Sequence, residues 1–397
     1  MFPRLRPALL PLLLVAIGVA ERVAFLPLRT SDTEHFLKPW LLAAERLGPA
    51  YLRQPFTNYA PFYEHCLALM ALLPGPGLVR VKLFSCAGDV LLAAAVARLV
   101  PRERRWLAGA AVFALPTVAV NSALLGQSDA FYAIAIVAML VAAERRRPVA
   151  AVLAFSVAIA IKLQALLAAP VLVLLWLERR QPAWTAALVP VAYVAFALPM
   201  LVAGRPLGAV GGVYGAQFGY FADLSANAPN LWQVGQKLIG YEHGLMVGLP
   251  GAVLVTGAAI LLLWRRGTVR EADGLLLAAA VMLVLVPFVT PKMHDRYFYL
   301  VDPVLVALAC RDARWWRALA CAEAASLLGY LPFVLDGYLM HDPVWGRAGS
   351  VAAATGLSYR ALPLVGMVLM GAALALLARP VLTKRCREPN ALAHDPI

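Results

Sequence analysis

The chain is a succession of apolar runs long enough to cross a bilayer, punctuated by short arginine-rich stretches. A spanning helix needs about 20 predominantly apolar residues, with a range of roughly 17–25. Runs of this kind cover approximately 8–28, 77–100, 106–122, 127–143, 183–203, 243–264, 273–290, 295–310, 315–335 and 359–378. Two shorter runs, 148–161 and 163–177, read as a tight pair turning at Lys162. The pattern predicts an all-α, polytopic membrane protein of about twelve helices, one domain over residues 1–397. Composition closes off the soluble classes. Hydrophobic residues make up 62% and charged residues 14%, against roughly 25% charged in soluble domains. The five scattered cysteines exclude a disulfide scaffold.

The charge is +13, from 35 Lys and Arg against 22 Asp and Glu. A basic chain can be a nucleic-acid binder, but here the excess follows the positive-inside rule, so no nucleic-acid partner is expected. Basic clusters sit at Arg4/Arg6, Arg98–Arg105, Arg145–Arg147, Arg179/Arg180, Arg265–Arg270, Arg311–Arg317 and Arg379–Arg387, at alternate turns of the chain. Both termini are therefore expected inside. The first run is a cleaved signal ending near Ala20 or an uncleaved anchor; its continuation to Leu28 favours the anchor, and both place residue 30 outside. The long loops 29–76, 204–242 and 336–358 then lie outside and hold most of the Asn and Gln residues, half of the His and many of the aromatic residues. Lys38–Leu47 and 62–74 are too short to span and read as interfacial helices in the first of these loops.

Ionisable groups at membrane depth are costly, and each is a functional hypothesis with a structural alternative. Thr30-Ser31-Asp32-Thr33-Glu34-His35 follows the first helix directly. Asp32 there can act as a general base, or Ser31 and Asp32 can cap a short helix. Gly126-Gln127-Ser128-Asp129 is either part of a site or a polar turn capping the next helix. Lys162, beside Gln164, is a cation for an anionic group or a snorkelling side chain, and Arg80 and Lys82 pose the same choice. Thr290-Pro291-Lys292-Met293-His294-Asp295-Arg296-Tyr297 is the densest polar insert. Lys292 and Arg296 suit a phosphate, His294 can donate or shuttle protons, and Asp295 can orient Arg296. Tyr214–Gln236, with Trp232, walls a pocket for a hydroxyl-rich ligand or forms an interfacial aromatic belt. The sequence has no P-loop and no dinucleotide-binding or zinc-hydrolase motif, and its six His are dispersed. Any group donor must arrive already activated.

In this order, Ser31-Asp32-Thr33-Glu34, Asn58-Tyr59-Ala60-Pro61-Phe62-Tyr63, Gly126-Gln127-Ser128-Asp129, Ile161-Lys162-Leu163-Gln164 and Lys292-Met293-His294-Asp295-Arg296-Tyr297 resemble motifs of the GT-C glycosyltransferases. The resemblance covers most of the chain. It is to enzymes using lipid-phosphate sugars: the dolichyl-phosphate-glucose glucosyltransferases of the endoplasmic reticulum, the second GPI mannosyltransferase, and bacterial polyprenyl-phosphate-mannose mannosyltransferases. Relatives often carry a double proline at Ala60-Pro61 and Glu at Asp295. The resemblance implies that Asp32 is the catalytic base and that His294 to Arg296 lie by the donor phosphate.

The combined expectation is an inverting hexosyltransferase of a bacterial inner or plasma membrane, active on the extracytoplasmic side. It moves mannose or glucose from a polyprenyl or dolichyl monophosphate to a glycan or glycolipid hydroxyl. Asp32 and His294 are the catalytic residues; Lys292, Arg296, Lys162 and Arg80 hold the donor phosphate or lipid; Glu34, Tyr59, Gln127, Asp129, Gln164 and Trp232 hold sugar or acceptor. Its partners are membrane lipids, the lipid-linked donor and the acceptor. No cofactor and no metal site are expected, with a divalent ion left open. The alternatives are a transporter or flippase of lipid-linked sugars, which needs alternating access, or a GT-C enzyme modifying lipid A or protein.

Overall fold

The computed structural model describes residues 9–179, 182–219, 222–334 and 361–383. Among these, the chain is mainly helical; strands are limited to a two-residue parallel contact, Ser225–Ala226 against Met293–His294, with an isolated antiparallel bridge from Asn227 to His294. The helices are α1 (Leu9–Phe25), α2 (Lys38–Leu47), α3 (Pro61–Ala71), α4 (Gly77–Val96), α5 (Arg105–Phe113), α6 (Pro116–Ala119), α7 (Asp129–Glu144), α8 (Pro148–Ile161) and α9 (Ala169–Arg179). They continue as α10 (Leu188–Val202), α11 (Leu207–Gly211), α12 (Val213–Gly219), α13 (Trp232–Ile239), α14 (Tyr241–Arg265), α15 (Ala272–Val289), α16 (Val301–Arg311), α17 (Trp316–Phe333) and α18 (Leu362–Thr383). The expected third outer loop, 336–358, lies outside the described residues, as do both chain termini.

By length and composition, four helices among the described residues can cross a membrane alone: Ala183–Val202, Tyr241–Arg265, Ala272–Val289 and Leu362–Thr383. A fifth span results if Arg102–Phe113 and Pro116–Leu124, bent by 52°, act as one. This is fewer than the apolar runs, because several runs fold as helices too short to cross alone. α8 has 14 residues, α9 has 11 and α16 has 11. α16 is buried along its whole length from Val301 to Cys310, so its apolar run satisfies a protein interior. The run expected at 295–310 starts late, because 295–298 form a separate 3-10 turn.

The helices have two distinct ends. At one, Arg311 gathers the carbonyl of Leu99 (2.6 Å), Asp273 (2.8 Å) and Glu144, while Arg104 donates to the Cys310 carbonyl at 2.7 Å. Arg104 and Arg311 each belong to one of the basic clusters of the sequence. At the other end lie Asp32, Gln127, Lys162 and His294. α7 runs between the ends: Asp129 opens it and Glu144 closes it, about 22 Å apart at roughly 1.5 Å rise per residue.

Buried charges are paired inside the bundle. Arg22 on α1 donates twice to Asp89 Oδ2 on α4, at 2.7 and 3.1 Å, and its remaining nitrogen reaches the carbonyls of Gly18 and Phe113, both at 2.8 Å. Ser122 also donates to Asp89. Lys82, fully buried on α4, donates to the carbonyls of Phe25, Leu26 and Leu28, where α1 ends. A helix C-terminus leaves such carbonyls without intrahelical partners, and a cation satisfies them. At the α5–α6 break, the Thr117 N–H donates to Glu323 Oε1 at 2.9 Å.

Arg22→Leu should therefore strand a buried carboxylate and destabilise the protein by about 3–5 kcal/mol, while Arg22→Leu with Asp89→Leu should recover much of that. Thermal melting of the detergent-purified variants checks this. An Arg22→Leu variant as stable as wild type would mean that the pair holds nothing.

Candidate functional site

The chain leaves α1 through a tight turn. The Thr30 N–H donates to Thr33 Oγ1 at 2.8 Å, and the Thr33 hydroxyl donates to the Thr30 carbonyl at 2.7 Å. Asp32 lies within this turn, in helical backbone geometry, and makes no side-chain capping bond to the π-helical turn Thr33–Leu37 that follows. Its carboxylate is used elsewhere: Oδ2 accepts from Gln127 Nε2 at 2.9 Å and from Arg296 at 3.2 Å. Arg296 is 264 positions away in sequence.

Gln127 sits where the π-helical turn Val120–Leu124 gives way to α7. Gly126 turns the chain there with φ +68°. That conformation favours glycine, and a Cβ there would stand 2.8 Å from Leu37 Cδ1, so a larger residue would also have to displace the Leu37 side chain. The Gln127 side chain accepts from the Tyr59 hydroxyl at 3.0 Å. Ser128 makes no capping bond to α7.

Lys162 occupies the extended residue that ends α8. It is buried, which rules out snorkelling, and it donates to Asp129 Oδ1 at 2.5 Å. Asn121 donates to the other Asp129 oxygen at 2.9 Å. The third component arrives on the short strand contact. Lys292 takes a left-handed φ of +62° and its N–H donates to the Leu224 carbonyl at 2.7 Å, which seats Met293–His294 beside Ser225–Ala226. Asp295, buried, lies 3.8 Å from His294 Nδ1 and 4.0 Å from Arg296 Nε, between His294 and the Arg296 it was expected to orient.

Together these segments line a cavity of about 120 Å³. Its walls include Asp32, His294, Arg296, Lys162, Tyr59, Gln127 and Gln164, all conspicuous in the sequence. Phe36, Leu37, Trp40, Asn58, Gln217 and Tyr297 complete the lining. Phe36 and Trp40 are one helical turn apart with ring centroids at 5.6 Å, an aromatic face that the amphipathic pattern of 38–47 signals only in part. Gln217, on α12, donates to the Asn58 carbonyl at 2.5 Å and is the contribution of loop 204–242. Asn58 Oδ1 is buried without a hydrogen-bond partner among the described residues. No three His, Cys, Asp or Glu side chains among the described residues come close enough to share a metal ion.

Five expected site residues lie off this lining. Asp129 is 1% exposed with both oxygens engaged, so it holds Lys162 in place of a sugar hydroxyl. Arg80 donates to the carbonyls of Met70 (2.9 Å) and Leu73 (2.7 Å) at the end of α3 and pairs with Glu45. Glu34 turns to the opposite side of the first loop, where it pairs with Lys38 at 3.0 Å and, with Arg80, lines a second, separate groove. Lys292 donates to the Tyr241 hydroxyl at 2.8 Å. Trp232 donates its indole N–H to the Val289 carbonyl at 2.8 Å, and its ring lies over Gly248 on α14, so it ties α13 to its neighbours. The side chains of Phe218, Tyr220 and Phe221 lie outside the described residues.

A helical membrane protein with a carboxylate, cations, amides and aromatic faces around one cavity has the equipment of a group-transfer enzyme for hydroxyl-rich substrates. Residues 56–291 match glycosyltransferase family 87, more than half of the chain, and the chain belongs to that family. It is a membrane glycosyltransferase. No curated protein matches it. Tyr59, Gln127, Lys162, Gln164 and Gln217 lie within the matched span; Asp32 and His294–Tyr297 flank it and reach the cavity through the fold.

Trp232→Ala should lower stability by about 2–3 kcal/mol, less than the 3–5 typical of a fully buried Trp, and leave substrate KM unchanged in the folded fraction. Thermal melting alongside steady-state kinetics checks this. A raised KM with an unchanged melting temperature would return Trp232 to the pocket wall.

Proposed function

We propose that this glycosyltransferase is an inverting, GT-C-type hexosyltransferase that takes mannose or glucose from a polyprenyl or dolichyl monophosphate and passes it to a hydroxyl of a glycan or glycolipid. The observation that carries this reading is the contact of Asp32 with Arg296 across a cavity that Lys162 and His294 also line. A carboxylate beside three potential cations suits a reaction that removes a proton at one point and releases a phosphate at another.

The acceptor oxygen attacks the anomeric carbon while its proton passes to Asp32. The bond from the anomeric carbon to the phosphate oxygen breaks, and its electrons go to that oxygen. Attack from the face opposite the departing phosphate inverts the anomeric centre. Arg296, Lys162 and His294 stabilise the charge that gathers on the phosphate; preorganised groups of this sort commonly account for more of the rate enhancement than any other effect. Arg296 reaches both sides of the reaction, so a donor phosphate that engages it leaves the Asp32 carboxylate to the acceptor. The amides of Asn58, Gln164 and Gln217 and the rings of Trp40, Tyr59 and Tyr297 offer hydrogen bonds and flat faces to a sugar. A donor that keeps its lipid tail in the bilayer explains a site at the end of a helical bundle.

In this reading the shorter apolar helices complete a bundle of about twelve spans, with membrane lipids around it. The cavity end faces away from the cytoplasm, and the arginine-rich end faces inward, as the positive-inside rule requires. The membrane is a bacterial inner or plasma membrane.

Asp32→Asn keeps shape and removes basicity, so turnover with polyprenyl-phosphate-mannose or -glucose should fall roughly 10²–10⁴-fold while the purified protein still binds the donor. Near-wild-type turnover would remove Asp32 from the catalytic role. In a second measurement, cysteines introduced at Ser31 and Glu103 in intact cells should react with an impermeant thiol reagent at 31 and not at 103. The reverse pattern would invert the orientation.

A further inference from the structure

We propose that Tyr59 and Gln127 are positioning residues for the base, acting through Asp32 and not by holding sugar hydroxyls. The inference rests on the reading of Asp32 as the base. Its geometry is a directed chain of two hydrogen bonds. The Tyr59 hydroxyl donates to Gln127 Oε1 at 3.0 Å, and Gln127 Nε2 donates to Asp32 Oδ2 at 2.9 Å. An amide has one donor end and one acceptor end. With the phenol donating to its oxygen, the nitrogen is the end turned to the carboxylate. A flipped amide would set oxygen against oxygen.

Every member of the chain is held from behind. The Gln127 N–H donates to the Asn121 carbonyl and the Gly126 N–H to the Ser122 carbonyl, both at 2.9 Å. Gly126 packs closely against Leu37, on the helical turn that follows Asp32. The Tyr59 ring is fixed by Trp40 at 5.4 Å and Tyr63 at 4.9 Å between centroids, and Lys162 Nζ lies 5.2 Å from its centre. Gln127 is 5% exposed, which leaves its amide little freedom to serve a moving substrate. Arg296 approaches the same oxygen, Oδ2. When the donor phosphate engages Arg296, Gln127 remains to hold the carboxylate in its rotation. A base that turns away from the acceptor hydroxyl loses rate without losing donor affinity.

The titratable groups that share the cavity with Asp32 are Arg296, His294 and Tyr297 from the segment after α15, Lys162 from the end of α8 and Tyr59 ahead of α3, while Glu34, on its own turn, lines the second groove. Of these, only Tyr59 is altered in the test, and only in the variant where its hydroxyl is removed.

The test uses the full-length, detergent-purified protein. Polyprenyl-phosphate-mannose and polyprenyl-phosphate-glucose are supplied separately, with an extracted glycolipid mixture as acceptor, and released polyprenyl phosphate is measured. Tyr59→Phe keeps the ring and its packing, so the fold is retained. Tyr59→Phe and Gln127→Leu should lower kcat roughly 10–100-fold with donor KM within about twofold of wild type. Gln127→Glu places a second carboxylate beside the base, and two adjacent carboxylates do not readily ionise together. The acidic limb of its pH–rate profile should therefore move about one unit or more to higher pH, with activity recovered in alkaline buffer. Unchanged kcat with a raised KM in Tyr59→Phe and Gln127→Leu, or an unshifted limb in Gln127→Glu, would overturn the proposal and leave these residues as substrate contacts. Asp32→Asn is measured beside them: if it turns over at the wild-type rate, the base assignment itself fails, an outcome distinct from failure of the positioning role alone.

Discussion

A charge withdrawn from water into a helical bundle must find its partner within the chain, because the apolar surroundings offer none. That constraint organises this protein. Arg22 and Asp89 join α1 to α4, and the leftover nitrogen of Arg22 reaches the carbonyl of Phe113 at the end of α5. Lys82 takes the carbonyls where α1 stops, two residues short of the Thr30 turn. Arg205 pairs with Glu64 at 2.8 Å and reaches the carbonyls of Tyr51, Leu52 and Gln54, which ties the first loop to the segment after α10. These cations do no chemistry in the proposed reaction. They hold the segments from which the cavity walls are made.

The same constraint explains the composition of the cavity. Asp129 pairs with Lys162 from behind, and Asp295 lies between His294 and Arg296, so the cations at the wall are backed by carboxylates that lie off the cavity lining. In the proposed reaction, the positive groups are thus held in place before the donor phosphate arrives. Electrostatic stabilisation works in this manner when the groups need not reorganise as charge develops. Asp32 stands apart as the carboxylate that reaches the cavity itself.

Family 87 membership covers the middle of the chain, and the two ends of the proposed chemistry flank it. The base comes from the turn after α1 and the His–Asp–Arg segment from the turn after α15. α1 lies outside the matched span and α15 closes it, and the Asp32–Arg296 contact is where the two segments meet. Irregular helical turns near this end do the aiming. The turn Thr33–Leu37, the turn Val120–Leu124 and the 3-10 stretch Leu163–Ala168 all lie at helix ends beside cavity residues.

The class of the molecule is written in its sequence. Long apolar runs admit little but membrane helices, and a polar residue among them is conspicuous because it is costly there. Asp32, Tyr59, Gln127, Lys162, Gln164, His294 and Arg296 are legible for that reason, and all seven line one cavity. What the sequence lacks is side-chain direction. Glu34 is two residues from Asp32 and faces the other groove; Asp129 is two residues from Gln127 and lies behind the wall. Arg80 and Lys82 look alike in sequence, yet each ends on the carbonyls of a different helix. Apolar runs likewise do not distinguish a helix facing lipid from one wholly enclosed by protein, as α16 is. Phe36 on the turn Thr33–Leu37, Trp40 on α2 and Gln217 on α12 join the cavity because those segments pack over it, a placement that local sequence signals only in part. Packing between helices settles which polar groups meet, since the direction of a side chain is set by the helix ends that neighbouring helices hold in place.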